Sequence, residues 1–263
     1  MSNLYIVPTP IGNLKDLTDR SKEVLNLVNI IFCEDTKITG KIKSYLGLEA
    51  KLISLHKFNE YSRVNEVLKI LEKEDVALVS DAGTPTISDP GQLLVKEVMK
   101  EHKVIPLAGA NAITTALSGS GLEFKNFTFV GFLDKTEKKI IDLLDKHLNS
   151  DVILAYESPN RIKQTLAILA DNYGDIEVVI ARELTKMYEE FSKGPISELI
   201  LKEHRGEIVL LIPTIGLSKE IDLSSYIEPL IIQGMTDKSI VNYLISTTNL
   251  KKNDIYEYLK NRI

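Results

Sequence analysis

The sequence lacks most of the features that mark secreted, metal-binding or membrane proteins. Its single cysteine, Cys33, excludes an internal disulfide and a cysteine-rich zinc site, and it fits a reducing compartment. The four histidines are widely separated and none stands in an H-E-x-x-H spacing, so we expect no catalytic metal. No stretch approaches the roughly 20 apolar residues of a membrane span. The amino terminus has neither the basic region nor the apolar core of a signal peptide. These absences predict a cytoplasmic protein.

Common nucleotide-binding and hydrolase motifs are also absent. There is no G-x-x-x-x-G-K-[ST], and the loop at residues 8–13 has one glycine where a dinucleotide site has three. There is no G-x-S-x-G motif. Cys33 lies inside an apolar predicted strand, where a buried, unreactive thiol is expected. The sequence therefore disfavours P-loop enzymes, Rossmann dehydrogenases and enzymes with a serine or cysteine nucleophile.

The chain has no excess of positive charge: its formal net charge is -5 over 263 residues. Proteins that hold naked nucleic acid mainly by neutralising phosphates are usually basic. Any role on RNA must therefore depend on local patches or on shape. With 44% hydrophobic and 26% charged residues, the composition is that of a globular protein with one large or two smaller domains.

What the sequence does contain is a regular alternation of predicted strands and helices, which indicates the α/β class. We expect an N-terminal α/β domain over residues 1–117, with a parallel sheet and helices on both faces, and a linker over residues 118–126. A C-terminal α/β domain with a mixed sheet follows over residues 127–216, and a small helical module over residues 217–263. The module is interpreted either as a nucleic-acid-binding helix cluster or as a lid on the second domain.

Unusual polar loops follow several predicted strands. They occupy residues 8–14 (PTPIGNL), 34–36 (EDT), 80–91 (SDAGTPTISDPG), 109–111 (GAN), 156–161 (YESPNR) and 181–186 (ARELTK). Ligands of open α/β sheets bind beyond the carboxyl ends of the strands, so these loops predict a binding site at one edge. The plain alternative is that they are connections rich in turn residues.

In this order, the motifs resemble those of the 16S ribosomal RNA cytidine 2′-O-methyltransferases, a branch of the tetrapyrrole-methylase-like, class III S-adenosylmethionine enzymes. The resemblance covers nearly the whole chain. It implies two α/β domains of the tetrapyrrole-methylase type, a homodimer, and S-adenosyl-L-methionine in the cleft between the domains, with S-adenosyl-L-homocysteine as product. The implied substrate is the ribose of cytidine-1402 in the decoding centre of 16S rRNA within the 30S subunit.

The resemblance also implies roles for individual residues. The implied cofactor contacts are Ala82, Gly83, Thr84, Ile87, Asn111, Ala112, Tyr156, Ala181 and Arg182, with Gly206 to Ile208 as a further segment. Methyl transfer to a ribose also requires removal of the hydroxyl proton, and the resemblance does not settle which residue removes it. From their chemistry, the candidate general bases are Asp81, Glu34 and Glu157, together with Asp35, and Lys186 or Arg182 would hold a phosphate.

Each of these roles has a plainer alternative. Asp81 and Glu34 rank first as bases because they are expected at the sheet edge, but both could instead be loop caps that accept from backbone amides. Arg182 and Lys186 could be exposed charges paired with Glu183 and Glu189.

Two other functions stay open at this point. One is a methylase of the same fold that acts on a tetrapyrrole or another small molecule. The other is a noncatalytic ribosome-binding protein on an α/β scaffold.

Overall fold

The computed structural model describes residues 2–215, 217, 223–248, 250 and 252–261. Some limits of the predicted domains lie outside the described residues, namely residues 1, 216 and 263. Residue 262, at the end of the last predicted helix, also lies outside them. No helix in the described part of the chain is long and apolar enough to cross a membrane.

The first half of the chain forms a five-stranded parallel sheet in the order β3-β2-β4-β1-β5. Its strands are β1 (Asn3–Ile6), β2 (Ile30–Cys33), β3 (Lys51–Ser54), β4 (Val76–Val79) and β5 (Lys103–Pro106). Strand β4 lies at the centre and is buried along its whole length, which its apolar sequence predicts. The predicted parallel sheet is confirmed.

Helices cover both faces of this sheet because successive side chains of a strand point to opposite sides. Ala77 and Val79 pack with α1 and α2, whereas Val76 and Leu78 pack with α3 and α4. These helices are α1 (Asp19–Leu27), α2 (Thr36–Leu46), α3 (Glu60–Leu71) and α4 (Gln92–Val98). Cys33 is fully buried in the layer on the α1 and α2 side, and burial raises the pKa of its thiol.

The second sheet is mixed, as predicted, with strand order β6-β7-β10-β8-β9. Its strands are β6 (Phe127–Phe132), β7 (Val152–Glu157), β8 (Glu177–Arg182), β9 (Glu190–Pro195) and β10 (Ile208–Pro213). Strands β6 and β7 are parallel, whereas β10 runs antiparallel to both β7 and β8. Strands β7 and β8 therefore point the same way, and β10 begins where they end.

One helix joins the two halves of the molecule. Helices α6 (Glu137–Asp145), α7 (Ile162–Tyr173) and α8 (Ile196–Leu199) cover one face of the second sheet. The other face is covered by α5 (Ala112–Gly119), which follows β5 of the first sheet. The apolar side chains of Ile113, Ala116 and Leu117 pack there against Leu154 and Leu211. Helix α5, which is connected to the first sheet, is thus packed into an apolar layer on the second sheet.

The chain ends in three short helices, α9 (Leu223–Ile232), α10 (Asp237–Thr247) and α11 (Lys252–Lys260), which have an apolar cluster of their own. This agrees with the predicted helical module.

Several expected elements differ from the observed ones. The sequence pattern predicts a helix over residues 135–148, but the observed α6 is shorter. The polar stretch 56–62 predicts a loop, but α3 begins inside it. The expected linker at residues 118–126 overlaps the end of α5. Strand β9 and helix α8 were not predicted. The division into domains stays a prediction.

Candidate active site

A cavity of about 380 Å³ opens between the two sheets, at the strand ends where the polar loops lie. Its wall on the first half of the chain consists of Ile11, Asp81, Ala82, Gly83, Thr84, Ile87, Ser88, Asp89, Asn111 and Ala112. Its wall on the second half consists of Phe132, Tyr156, Glu157, Ser158, Pro159, Leu184, Gly206, Glu207, Ile208 and Val209. The volume is in the range of small-molecule sites.

The loops of the first wall are tied to each other before any ligand arrives. The amide of Thr9 donates to the Gly83 carbonyl oxygen, and the amide of Gly83 donates back, both at 2.9 Å. The Thr9 hydroxyl donates to the Ser80 carbonyl oxygen at 3.0 Å, and the Thr84 hydroxyl donates to that of Ala110 at 3.0 Å. Gly83 has φ +85, a left-handed conformation that disfavours a side chain. The loop therefore presents its backbone in a fixed shape.

The second wall depends on the reversed direction of β10. Ile208 pairs with Glu157 at the end of β7 and with Arg182 at the end of β8. The turn before β10 is thereby placed beside both strand ends, which brings Gly206 and Glu207 into the cavity wall.

Aromatic rings form part of this second wall. The ring of Tyr156 lies 4.9 Å from that of Phe129 and 5.2 Å from that of Phe132, centre to centre. Phe132 lines the cavity but leaves 67% of its surface exposed. Burial and the charges of Asp89 and Glu207 raise the pKa of Tyr156 to about 12, so its hydroxyl is neutral at physiological pH.

The structure brings most of the candidate site residues together. Those that line the cavity are Asp81, Ala82, Gly83, Thr84, Ile87, Asn111, Ala112, Tyr156 and Glu157, and the segment Gly206 to Ile208 lines it as well. Those outside the lining set are Glu34, Asp35, Ala181, Arg182 and Lys186. Their roles in binding and catalysis stay predictions.

Asp81 has a structural bond as well as a place in the cavity wall. One oxygen of its carboxylate accepts from the amide of Asp35 at 3.0 Å, as the cap interpretation expects. Burial raises the pKa of Asp81, although this hydrogen bond opposes the rise. Burial and the charge of Asp81 also raise the pKa of Glu34. Three carboxylates, those of Glu34, Asp81 and Asp89, thus lie close enough to influence each other.

Glu157 is held by its own strand end and the following helix. Its carboxylate accepts from the Ser158 amide at 2.7 Å, the Thr165 hydroxyl at 2.7 Å and the Arg161 guanidinium at 3.2 Å. The residue is 3% exposed. With both oxygens engaged, this carboxylate is built to anchor the 156–161 loop.

Arg182 and Lys186, the candidate phosphate-binding side chains, each form ion pairs with carboxylates. Of these carboxylates, only that of Glu183 was expected. Arg182 pairs with Glu190, and Lys186 contacts Glu183 at 2.9 Å and Glu207 at 3.1 Å. Both side chains are partly buried, so the expectation of exposed charges, one of them paired with Glu189, was wrong. The reason is that β9 and the 206–207 turn pack beside this loop, which the local sequence does not reveal.

Sequence reasoning missed several residues of the cavity wall. Asp89 lies in the 80–91 motif but was not among the candidates, and neither were Phe132 and Leu184. A signal for Asp89 was present, because it is a carboxylate in the strand-end loop 80–91. No local signal marks Phe132 or Leu184, whose apolar side chains are typical of any strand end.

Known proteins resemble this chain closely over most of its length. Residues 3–200 match the model of the Tetrapyrrole (Corrin/Porphyrin) Methylases. The ribosomal RNA small subunit methyltransferase I of Bacillus subtilis is 39% identical over 98% of this chain and 94% of its own length. The protein of the same name from Vibrio cholerae is 45% identical over 80% of this chain and 76% of its own length.

The residues of the cavity fit S-adenosylmethionine, the cofactor of this class of methyltransferases. The cofactor carries a sulfonium and an ammonium group. The cavity supplies four carboxylates, those of Asp81, Asp89, Glu157 and Glu207, and its described lining has no lysine, arginine or histidine. The fixed backbone at Ala82 to Thr84 leaves room for close approach, and Ile87 adds apolar surface.

Solved structures share the fold at low identity. A diphthine synthase superposes with a TM-score of 0.64 at 14% identity, over 81% of this chain and 90% of that chain. The uroporphyrin-III-C-methyltransferase of Thermus thermophilus gives 0.58 at 14% identity, over 84% and 98%. These matches support the fold alone. With the family model and the relatives, they lead to one conclusion: the chain belongs to the tetrapyrrole methylase family, in the branch of the proteins named ribosomal RNA small subunit methyltransferase I.

Proposed function

We propose that this protein transfers a methyl group from S-adenosylmethionine to small-subunit ribosomal RNA, at the ribose 2′-hydroxyl of cytidine-1402 in the 30S subunit. The observation that carries the proposal is the cavity, because the loops that resemble the family motifs line both of its walls. The relatives named for ribosomal RNA methylation support the substrate class, since their similarity extends to 98% of the chain.

The reaction needs alignment more than covalent help from the protein. When bound, S-adenosylmethionine supplies a methyl carbon that already carries an excellent leaving group. A rigid cavity can then lower the barrier by holding the reacting atoms in line. The loop bonds between Thr9 and Gly83 and the anchored Glu157 serve this purpose, because neither wall needs to reorganise.

The acidic wall also favours a ribose over a tetrapyrrole substrate. Tetrapyrroles with several carboxylate side chains would meet Asp81, Asp89 and Glu207 at the cavity, and like charges repel. A ribose hydroxyl is neutral, so it can enter while its flanking phosphates stay outside. This argument supports RNA over the small-molecule alternative.

Methyl transfer to purified 30S subunits that lack the modification tests the proposal. We expect labelled methyl groups in 16S rRNA, and nuclease digestion with mass spectrometry should identify 2′-O-methylcytidine at position 1402. Gly83→Val should abolish transfer, because Gly83 has φ +85 and an added Cβ would lie 3.3 Å from Ile11. The matched control is Gly40→Ala, where an added Cβ meets open space and full transfer is expected.

The competing functions give different results in the same assay. Transfer to a porphyrinoid substrate but not to 30S subunits would establish the small-molecule alternative. Failure to bind S-adenosylmethionine by calorimetry would establish the noncatalytic one.

We also propose that the protein is a homodimer, as its resemblance to the family implies. Sedimentation at micromolar concentration tests this directly, with a species of about 59 kDa expected from the 29.5 kDa chain. A single species with the mass of one chain would contradict it.

A further inference from the structure

Asp89 lies in a part of the cavity wall where the backbone adopts energetically unfavourable conformations. The loop after β4 turns back through Thr86 at φ 72 and Ser88 at φ 77, both in the left-handed region. Such conformations are unfavourable for residues with a side chain, above all for a β-branched threonine, and they cluster at functional sites. Here the strained turn places Ser88 and Asp89 on the cavity.

The surroundings of Asp89 are acidic. Glu34 at the end of β2 and Asp81 at the end of β4 act on it from the first sheet, and the Ser80 hydroxyl faces it from the same loop. From the second sheet, the Tyr156 ring faces it across the cavity. Burial raises the pKa of Asp89 to about 6, the two neighbouring carboxylates add to the rise, and the nearby Ser80 hydroxyl, which donates to the Gly83 carbonyl oxygen at 3.1 Å, opposes it.

The other carboxylates of the cavity are committed to structural bonds. Asp81 accepts from the Asp35 amide, and Glu157 accepts from three donors. Glu207 is paired with Lys186 at 3.1 Å. Asp89 has no ion pair among the described residues, and it lines the cavity.

We propose that Asp89 is the general base of the reaction, an inference that rests on the proposed function. Its carboxylate takes the proton of the ribose 2′-hydroxyl. The oxygen lone pair then forms the bond to the methyl carbon, while the carbon–sulfur bond breaks and leaves its electron pair on sulfur. The proton leaves Asp89 for solvent after the products depart. An acid that titrates near neutral pH is well matched to this task.

Single-turnover methylation of 30S subunits at saturating S-adenosylmethionine, between pH 5 and 9, tests the inference. We expect Asp89→Asn to lower the rate by about 10²–10⁴-fold and to remove the rise in rate that the wild type shows near pH 6. Asp89→Glu should recover part of the rate. The matched control is Asp171→Asn, an exposed position on α7, for which wild-type rates are expected.

A second measurement does not depend on activity. Carbon-13 NMR of labelled aspartate carboxyls in the protein without cofactor should show one resonance that titrates near pH 6 and is lost in Asp89→Asn. Circular dichroism establishes that each variant is folded.

The outcomes are distinct. Wild-type rate and pH profile in a folded Asp89→Asn variant would overturn the inference and leave the proposed function standing. So would a defect that disappears at higher cofactor concentration, since Asp89 would then only bind the cofactor. No methylation of 30S subunits by the wild type at any pH would overturn the proposed function, and the inference with it.

Discussion

The acidic residues around the cavity differ in how each carboxylate is held. Glu157 is surrounded by donors that stabilise its charge, whereas Asp89 and Glu34 lie near other carboxylates in partly buried positions. A buried charge near like charges costs stability, and active sites commonly tolerate this cost for reactivity. Asp89 should therefore affect stability in the opposite direction to its effect on activity.

Replacing Asp89 by asparagine should stabilise the folded protein above pH 6. The pKa of Asp89 is raised from 3.8 to about 6, so ionisation costs the folded state more than the unfolded chain. This cost is absent below pH 3.8, grows between 3.8 and about 6, and is complete above that range. The full shift corresponds to about 3 kcal/mol, but the carboxyl is partly exposed and solvent screens it. Urea unfolding at pH 7.5 should therefore show a gain on the order of 1–2 kcal/mol for Asp89→Asn, with little difference at pH 4.

Two comparisons test whether the gain in stability is electrostatic. Asp171→Asn, on the exposed face of α7, should show no gain at either pH. Equal gains for Asp89→Asn at pH 4 and pH 7.5 would contradict the electrostatic explanation, because they would have to arise from packing.

At the scale of elements, prediction from sequence succeeded where periodicity was strong. The sequence predicts a helix over Ile162–Tyr173, because apolar residues recur there at helical spacing between a turn and a glycine. Helix α7 is observed with those bounds. Strand β9, Glu190–Pro195, was missed. It has one large apolar residue, Phe191, and its buried positions are Ser192 and Gly194. An edge strand with small inward residues carries almost no hydrophobic pattern.

The candidate site, too, was predictable only where the sequence pattern was strong. The strand-end loops were found because their composition is unusual, and most of the candidate residues line the cavity. The contacts across the gap between the sheets were not predictable. Phe132 reaches the cavity because β6 pairs with β7, which sets its ring beside that of Tyr156.

The contact between α5 and β9 gives a prediction for packing. A Cβ on Gly119 would lie 2.5 Å from Cζ of Phe191, well inside van der Waals contact. We expect Gly119→Ala to lower the free energy of unfolding by about 1–3 kcal/mol through overpacking. In a Phe191→Leu background the same change should cost clearly less, because the ring is gone. Urea denaturation of the four proteins measures this coupling.

Gly40→Ala is the matched control on another helix. Gly40 is inside α2, and an added Cβ meets nothing within 4 Å. Helix propensity alone should then stabilise the protein by about 0.5–1 kcal/mol. If both glycine variants shifted stability by the same amount, steric contact with Phe191 would not be the cause.

At the scale of the whole molecule, the net charge of -5 constrains how RNA is recognised. A protein that binds by neutralising many phosphates loses affinity steeply with salt. If the assembled subunit is recognised by shape and a few local contacts, the dependence should be shallow. We expect the slope of log K against log salt to have a magnitude below about 4, measured by filter binding to 30S subunits.

The exposed lysines of α2 provide the comparison. Replacing Lys37 and Lys41 by glutamine should reduce the magnitude of that slope by at most about 2, because each lysine can neutralise about one phosphate. A wild-type slope of about -8 would instead indicate extensive phosphate contact, and recognition by shape would be wrong.

The packing of α5 has a consequence for synthesis on the ribosome. This helix is complete at Gly119, yet the sheet that it covers is not complete until β10 ends at Pro213. At roughly 5–20 residues per second, the intervening ninety or so residues take about 5–20 s to make. During that time the β8 and β10 part of the apolar layer that covers α5 is incomplete in the nascent chain. Protease digestion of stalled chains should therefore cleave at α5 when synthesis stops near residue 160, and spare it once β10 has left the exit tunnel. Protection at the earlier stage would show that another segment shelters the helix first.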